Sequence, residues 1–409
     1  MPVPTSRLAS TRWLLVLNAG SSSLKYELFD ATDATVARGE VSRLGQHPAR
    51  HTLVVGAAPP RRAEGPCPDH RAAVDWALRE LAGVLPAGWA ERVAAAGHRV
   101  VHGGPSLWQP TRVDDAVEAE LVRASELAPL HNGPSLAALR AARELLPAVQ
   151  HVTVFDTGFH HDLPEVARVY ALPTALAERW GIRRYGFHGT SCRYVVGRLG
   201  ELGVAAGRLI VAHLGAGASL TAVRAGRSVD TSMGFTPLEG LVMGTRSGDL
   251  DPALPLFLER HAGLDAGAVE RLLEHEAGLR GLGGRSGDYA ELEALAAAGD
   301  GPAELALALF AYRARKYIGA YWAALGGVDL LVFTGGIGEH SAGARRRILA
   351  PLEAVGWRLD PARNADGPAE RRLSPDRARP EIWVIPTREA LQIAREARAL
   401  IEPASPSRD

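Results

Sequence analysis

Short apolar runs that stop abruptly at glycine- or serine-rich turns recur along the chain. Leu14–Leu17 reads as a buried strand ending in Asn18-Ala-Gly-Ser-Ser-Ser, and Leu24–Phe29 resumes as a second strand. Together they predict a β-hairpin with a wide turn. The pattern returns much later, where Leu209–Ala212 leads into His213-Leu-Gly-Ala-Gly-Ala-Ser and Leu220–Val223 continues. LLVLNAGSSSLKYELFD can be laid over LIVAHLGAGASLTAVRA, which suggests duplicated halves; a solenoid would repeat every ~20–50 residues. Helical spacing appears at Arg71–Leu85, Ala116–Leu127, Pro134–Leu145, Ala303–Leu325, from about Ala342, and at Arg388–Ile401. Strands are predicted at Val93–Val101, His151–Phe155 and Val328–Phe333, the last running into Thr334-Gly-Gly-Ile-Gly-Glu. Residues 57–69 and 360–380 are rich in Pro, Gly and Arg and read as surface loops. Strands alternating with helices make the fold class α/β.

With 409 residues, 46% of them hydrophobic, two domains with their own cores are expected. Equal numbers of basic and acidic side chains, 46 each, argue against a nucleic-acid or anionic-membrane surface. Only Lys25 and Lys316 are lysines, so arginine dominates the basic residues and a single arginine carries little weight. Cys67 and Cys192 offer neither a disulfide framework nor a CxxC metal pattern, and no apolar run reaches the length of a membrane span. A cytoplasmic location is expected.

Three turns could carry chemistry. Asn18 to Lys25 holds Gly20 and three serines, among them Ser21 and Ser23, whose N–H and hydroxyl donors suit an anion. Asn18 adds a neutral oxygen suited to magnesium or its water shell, and Lys25 a charge that reaches phosphates. Gly215–Ser219 matches that turn, and Gly335-Gly336-Ile337-Gly338 lies between a strand and a helix, where backbone can approach a nucleotide. Neither a Walker A loop nor a GxGxxG opening a βαβ unit is present. Arg99, His102, His131, His188 and Arg246 stand at strand ends and turns, and arginine's planar fork suits a carboxylate or a phosphoryl group. Asp156, closing an apolar strand, could cap the next element or face a site.

These residues resemble a known family. Leu17-Asn-Ala-Gly-Ser-Ser-Ser-Leu-Lys25 is similar to the N-terminal signature of the acetate kinases. The resemblance continues through His98-Arg-Val-Val-His-Gly-Gly104, Leu127-Ala-Pro-Leu-His-Asn132, Val154-Phe-Asp-Thr-Gly-Phe-His160 and Tyr185-Gly-Phe-His-Gly-Thr-Ser191. It runs on through Thr231–Gly240, Met243-Gly-Thr-Arg246 and Phe333–Glu339 to Ile385-Pro-Thr387, covering roughly residues 13–402.

The resemblance implies a duplicated actin-like (ribonuclease H-like) kinase fold with nucleotide between two domains, residues 1–159 with 390–409 and residues 160–389. The second would carry nucleotide and dimer contacts. It implies reversible phosphoryl transfer from ATP to acetate, giving acetyl phosphate and ADP, with Mg2+ (or Mn2+) and a homodimer. A loose transition state needs in-line placement and positive charge with little covalent work. By resemblance, Arg99 holds the carboxylate, Arg246 binds carboxylate or phosphoryl oxygens, His188 donates to the transferring group, and His131 supports the same site. Asp156 is the family's acid/base residue by common description; ionised acetate has no proton to surrender, so ordering magnesium-bound water suits it better. Asn18 and Glu389 match magnesium positions. Val101, Leu130, Phe187 and Pro237 match the apolar pocket for the acyl methyl, which favours acetate with propionate tolerated. The nucleotide positions are Ser21, Ser23, Lys25, His213, Leu214, Gly215, Ala216, Gly217, Asp288, Tyr289, Ala290, Gly336, Ile337, Gly338, Glu339 and His340.

Departures gather around the nucleotide. Ala216 replaces the asparagine of the usual HLGNG, Asp288-Tyr289-Ala290 stands for DFR, and His340 ends the usual GIGEN. Thr387-Arg-Glu-Ala390 stands for TNEE and Cys192 for the histidine of GTSH. An altered donor such as pyrophosphate, replacement adenine contacts from Tyr289 and His340, propionate as acceptor, and a non-catalytic ligand-binding descendant are the alternatives.

Overall fold

The computed structural model describes residues 12–126 and 129–402, with the side chains of residues 129–131 outside the description. The chain divides into two compact units, one reaching Gly158 and including the residues from Arg388 on, the other Phe159–Thr387. Glu389, placed by the sequence reading in the second domain, belongs to the first unit.

The first unit is built on strands β1 (Trp13–Gly20), β2 (Ser23–Phe29), β3 (Thr35–Ser42), β4 (Ala49–Val55), β5 (Arg61–Gly65), β6 (Val93–Val100), β7 (Thr111–Arg112) and β8 (Gln150–Phe155). Their order is β5-β4-β3-β2-β1-β6-β8-β7. β1 pairs antiparallel with β2 and parallel with β6, so it lies at the centre, and Trp13–Leu17 are buried without a break. A strand covered on both faces reads as a continuous apolar run, which is why it was legible.

The second unit carries β9 (Arg208–Leu214), β10 (Ala218–Arg224), β11 (Arg227–Thr231), β12 (Leu330–Thr334), β13 (Arg371–Arg372) and β14 (Glu381–Val384), in the order β11-β10-β9-β12-β14-β13. The arrangement of the first unit recurs: an antiparallel β11-β10-β9 meander followed by the parallel strands β12 and β14. The duplication read from two hairpins is therefore a duplication of sheet topology. The helix Gly301–Leu325 packs on this sheet, and its Phe310, Ala314, Ile318 and Tyr321 are buried. Asp300 caps its first turn by accepting from Ala303 N–H, and Gly326 ends it in the left-handed region.

Three expectations need correction. The first hairpin turn is narrow: Gly20 pairs with Ser23, leaving only Ser21 and Ser22 at the tip. Residues 57–69 contain β5, an edge strand whose exposed Arg61 and Arg62 disguise it and suit an uncovered edge. Residues 360–380 contain the short helix Pro361–Ala365 and β13, which joins the sheet through β14.

Candidate active site

In the first unit Arg99 follows His98 on β6, Asp156 follows the last residue of β8, Asn18 sits on β1, and Glu389 opens the C-terminal helix Glu389–Ile401. Parallel strands β1, β6 and β8 end on one side, so their C-terminal residues gather, as ligand-binding groups do in open α/β sheets. Arg99 Nε donates to both Asp156 carboxylate oxygens at 3.1 Å, and Nη2 donates to Oδ2 at 2.5 Å. Nη1 donates to Asn18 Oδ1 at 3.2 Å, and Glu389 Oε2 stands 3.9 Å from Nε. Burial works against the guanidinium charge of Arg99, but Asp156 and Glu389 outweigh it and hold the group above the usual arginine range. Asp156 is 1% exposed, Arg99 19%.

Val101 is buried beside this cluster in sequence, and His102 is locked by Asn132: its N–H donates to Asn132 Oδ1 at 2.9 Å and its carbonyl accepts from Nδ2 at 2.7 Å. Lys25 is exposed on β2, paired in register with Asn18; Ser21 is exposed and Ser23 half-buried. Leu130 and His131 fall in the first turn of the helix Pro129–Leu145, and their side chains lie outside the described residues.

The second unit assembles the other group. His188 precedes the helix Gly189–Glu201 with φ +57°, a left-handed conformation costly for a residue with a Cβ. Its Nδ1 lies 3.0 Å from Ser219 Oγ, and its ring stacks on His213 with centroids 4.2 Å apart. His213 Nδ1 in turn meets Ser191 Oγ at 2.8 Å. Arg246 Nη1 donates to the Pro237 carbonyl at 2.7 Å, and Glu274 Oε2 stands 3.9 Å from its Nε. Glu274 was not singled out in the sequence; burial pushes its carboxyl up, with Arg246 opposing. Phe187 and Pro237 are buried.

Gly217 shows why that turn is glycine. A Cβ there would lie 3.0 Å from Arg246 Nη2 and 3.3 Å from His188 Nε2. The tip Gly215-Ala216-Gly217 between β9 and β10 is held by backbone, with the Ala216 carbonyl accepting from Gly244 N–H at 2.9 Å. Gly335–His340 form a short helix directly after β12. Glu339 closes that turn, Oε1 accepting from the N–H groups of Gly335 and Thr387 at 2.9 Å each. Arg345, missed by sequence reasoning and 1% exposed, donates from Nη1 to the carbonyls of Gly338 (2.8 Å) and Glu339 (2.9 Å). Burial, with Arg371 nearby, lowers its pKa to about 10. Ala216, Gly336, Asp288, Ala290 and His340 are exposed, Ile337 is half-buried, and Leu214 and Gly338 are buried. Asp288 is spent as a helix cap, accepting from Glu291 N–H. Tyr289 departs from the expectation of an adenine contact: its ring is 3% exposed and packs on Phe310.

The two units thus share one sheet topology, the first gathering an arginine–carboxylate cluster and the second histidine, arginine and glycine turns. The acetokinase family model matches residues 13–395. The chain belongs to that family. It is 47% identical to the acetate kinase of Streptomyces coelicolor, over 96% of this chain and 98% of that one. Among solved structures, Porphyromonas gingivalis acetate kinase is 39% identical with a TM-score of 0.87, covering 96% of this chain and 100% of its own. A propionate kinase from Francisella tularensis subsp. tularensis is 35% identical with a TM-score of 0.88, covering 94% and 98%.

Proposed function

We propose that this protein transfers the γ-phosphoryl group of ATP to acetate, reversibly, giving acetyl phosphate and ADP. The full-length relation to a protein named acetate kinase carries the reading. The site chemistry supports it. Arg99, whose Nε–Nη2 edge is held by Asp156 and whose Nη1 donates to Asn18, keeps further Nη N–H groups for the acceptor carboxylate, and Val101, Leu130, Phe187 and Pro237 are the residues that the resemblance assigns to its methyl. The attacking group is already an oxyanion, so no base is required. Arg246 and His188 direct N–H donors at the equatorial oxygens of the transferring group, where charge accumulates. The resemblance assigns His131 a supporting role. The nucleotide is assigned by the resemblance to Asn18–Lys25 of the first unit and to His213–Gly217 and Gly336–His340 of the second, while Asp288 and Tyr289 are engaged as a helix cap and a buried ring.

One amide oxygen (Asn18) and two carboxylates (Asp156, Glu389) are gathered on the Arg99 guanidinium. These hard oxygen donors fit Mg2+ with retained water. Among the described residues no three His, Cys, Asp or Glu side chains could hold a metal by themselves, so phosphate oxygens would complete such a site. When bound, the ion offsets phosphate charge. No helix among the described residues is long and apolar enough to cross a membrane.

A homodimer is also proposed, through the second unit. Val166, Val169, Leu172, Leu176 and Trp180 are exposed there, as are Leu254, Phe257, Tyr312 and Trp322. These exposed apolar side chains are the surface proposed to meet a second copy. A monomeric mass in solution would remove this reading.

Acetyl phosphate formation should be measured with ATP, GTP and pyrophosphate as donors and with acetate and propionate as acceptors. ATP with acetate is expected to give the highest kcat/KM, with propionate behind, since a pocket separates one methylene by about 1–3 kcal/mol. Preference for pyrophosphate would shift the donor, preference for propionate the acceptor. Ligand binding without turnover would overturn the catalytic reading.

A further inference from the structure

The segment after the helix Ala266–Arg271 wraps the loop that carries Arg246. Ser247 N–H donates to the Leu273 carbonyl at 3.1 Å, and Thr245 Oγ1 donates to the Glu274 carbonyl at 2.8 Å. On the other side, Leu279 and Arg280 N–H groups donate to the carbonyls of Met243 (2.8 Å) and Gly244 (2.9 Å). Gly278, at φ +63°, makes the close approach possible: a Cβ there would meet Met243 O at 2.3 Å. Within this clasp Leu272–Glu276 is wound as one π-helical turn, an uncommon geometry concentrated at functional sites. It turns Glu274 inward, 8% exposed, to 3.9 Å from Arg246 Nε.

The Arg246 guanidinium is thus addressed on two sides. Nη1 is fixed by the Pro237 carbonyl, and Nε faces Glu274. Nη2 lies against Gly217, in the turn read as receiving phosphate. We propose that Glu274 is a positioning residue for the transfer reaction, its carboxylate setting the plane of the Arg246 guanidinium so that Nη2 points at the transferring phosphoryl group. The proposal rests on the reading of Arg246 as a phosphoryl-binding residue. A buried carboxylate is costly unless paired, and this one is placed where an arginine must not swing.

The test is a kinetic cycle on the full chain: Glu274→Gln, Arg246→Ala and the double variant, each checked for folding by thermal melting. Glu274→Gln should lower kcat about ten- to a hundredfold, as loss of a group orienting a site residue does, with KM for ATP little changed. In the Arg246→Ala background the same substitution should cost almost nothing. Guanidinium ion added to Arg246→Ala should restore part of the turnover, and the double variant should lose that rescue, a readout that a purely structural role would not move. Should Glu274→Gln fail to fold, Glu274→Asp, which keeps the charge but shortens its reach, takes its place in the cycle. An equal loss from Glu274→Gln with and without Arg246 overturns the proposal alone. Full activity of Arg246→Ala overturns the role of Arg246 and the proposal with it.

Discussion

Substituting Asp156 by Asn isolates the pair at the heart of the first unit. The carboxylate is 1% exposed and takes three N–H···O contacts from Arg99, itself 19% exposed, so solvent screens the pair weakly. Removing one partner of a buried pair costs about 3–5 kcal/mol, because the other charge is left uncompensated. Glu389, 3.9 Å from Arg99 Nε, still offsets part of that charge. The cost should therefore fall at the lower end, about 3 kcal/mol. For a unit of this size that corresponds to a fall in Tm of about 6–12 °C. Arg99→Met strands a more deeply buried carboxylate and should cost about 4 kcal/mol. The double variant buries neither charge, so its loss should be smaller than the sum of the two by about 2 kcal/mol or more. Calorimetric melting of the four proteins without ligand measures this. Additive losses, or an unchanged Tm for Asp156→Asn, would refute the claim that the two side chains form one energetic unit.

Two further outcomes are expected. His98 and His151 share a buried hydrogen bond of 3.0 Å, and burial depresses both below the ordinary 6.5, so below that pH the unfolded chain binds more protons than the folded one. Their stabilising contribution is present above about pH 6.5 and lost as pH falls; Tm measured from pH 8 to 5 should drop on the acid side, less steeply in His98→Gln, and an identical slope in that variant contradicts the assignment. Gly217→Ala places a Cβ 3.0 Å from Arg246 Nη2, so that guanidinium must give by a few tenths of an ångström, and should lower kcat by about tenfold or less with the fold intact; wild-type turnover in a kinetic assay would show that the displacement does not reach the reaction.

How much of this could be read from the chain follows from where each signal lives. β1, β9 and β12 are covered on both faces, and their unbroken apolar runs announced them. β3 (TVARGEVS) and β5 (RRAEG) lie toward or at an edge with charged outer positions, and no periodicity marked them. Arg99, Asp156, His188 and Arg246 were legible through motif context alone, since arginine abundance hides any single guanidinium. Glu274 and Arg345 escaped because their significance is tertiary. One reaches Arg246 across a π-helical turn, and the other binds two carbonyls of the glycine turn from the helix Ala342–Leu349. A buried arginine bonded only to carbonyl and amide oxygens leaves no pattern in sequence.

The departures around the nucleotide read differently once exposure is known. Ala216, Ala290 and His340 are all exposed, while the backbone beside them is pinned: Ala216 O by Gly244 N–H, and the Gly335–His340 turn by Glu339 and Arg345. Gly244 and Gly287 approach so closely that a Cβ on Gly287 would lie 2.6 Å from Gly244 O, which stacks those loops independently of the lost side chains. The contacts that hold these turns, Gly215 N–H to the Gly217 carbonyl, Gly244 N–H to that of Ala216 and Gly335 N–H to Glu339, involve none of those outward side chains. The asparagine and arginine that the resemblance leads one to expect are therefore not part of that frame. That predicts a raised KM for ATP in a site that still turns over, rather than a site that has ceased to bind. Ala216→Asn should lower that KM several-fold at constant kcat; no change would mean that the turn's affinity lies wholly in its backbone.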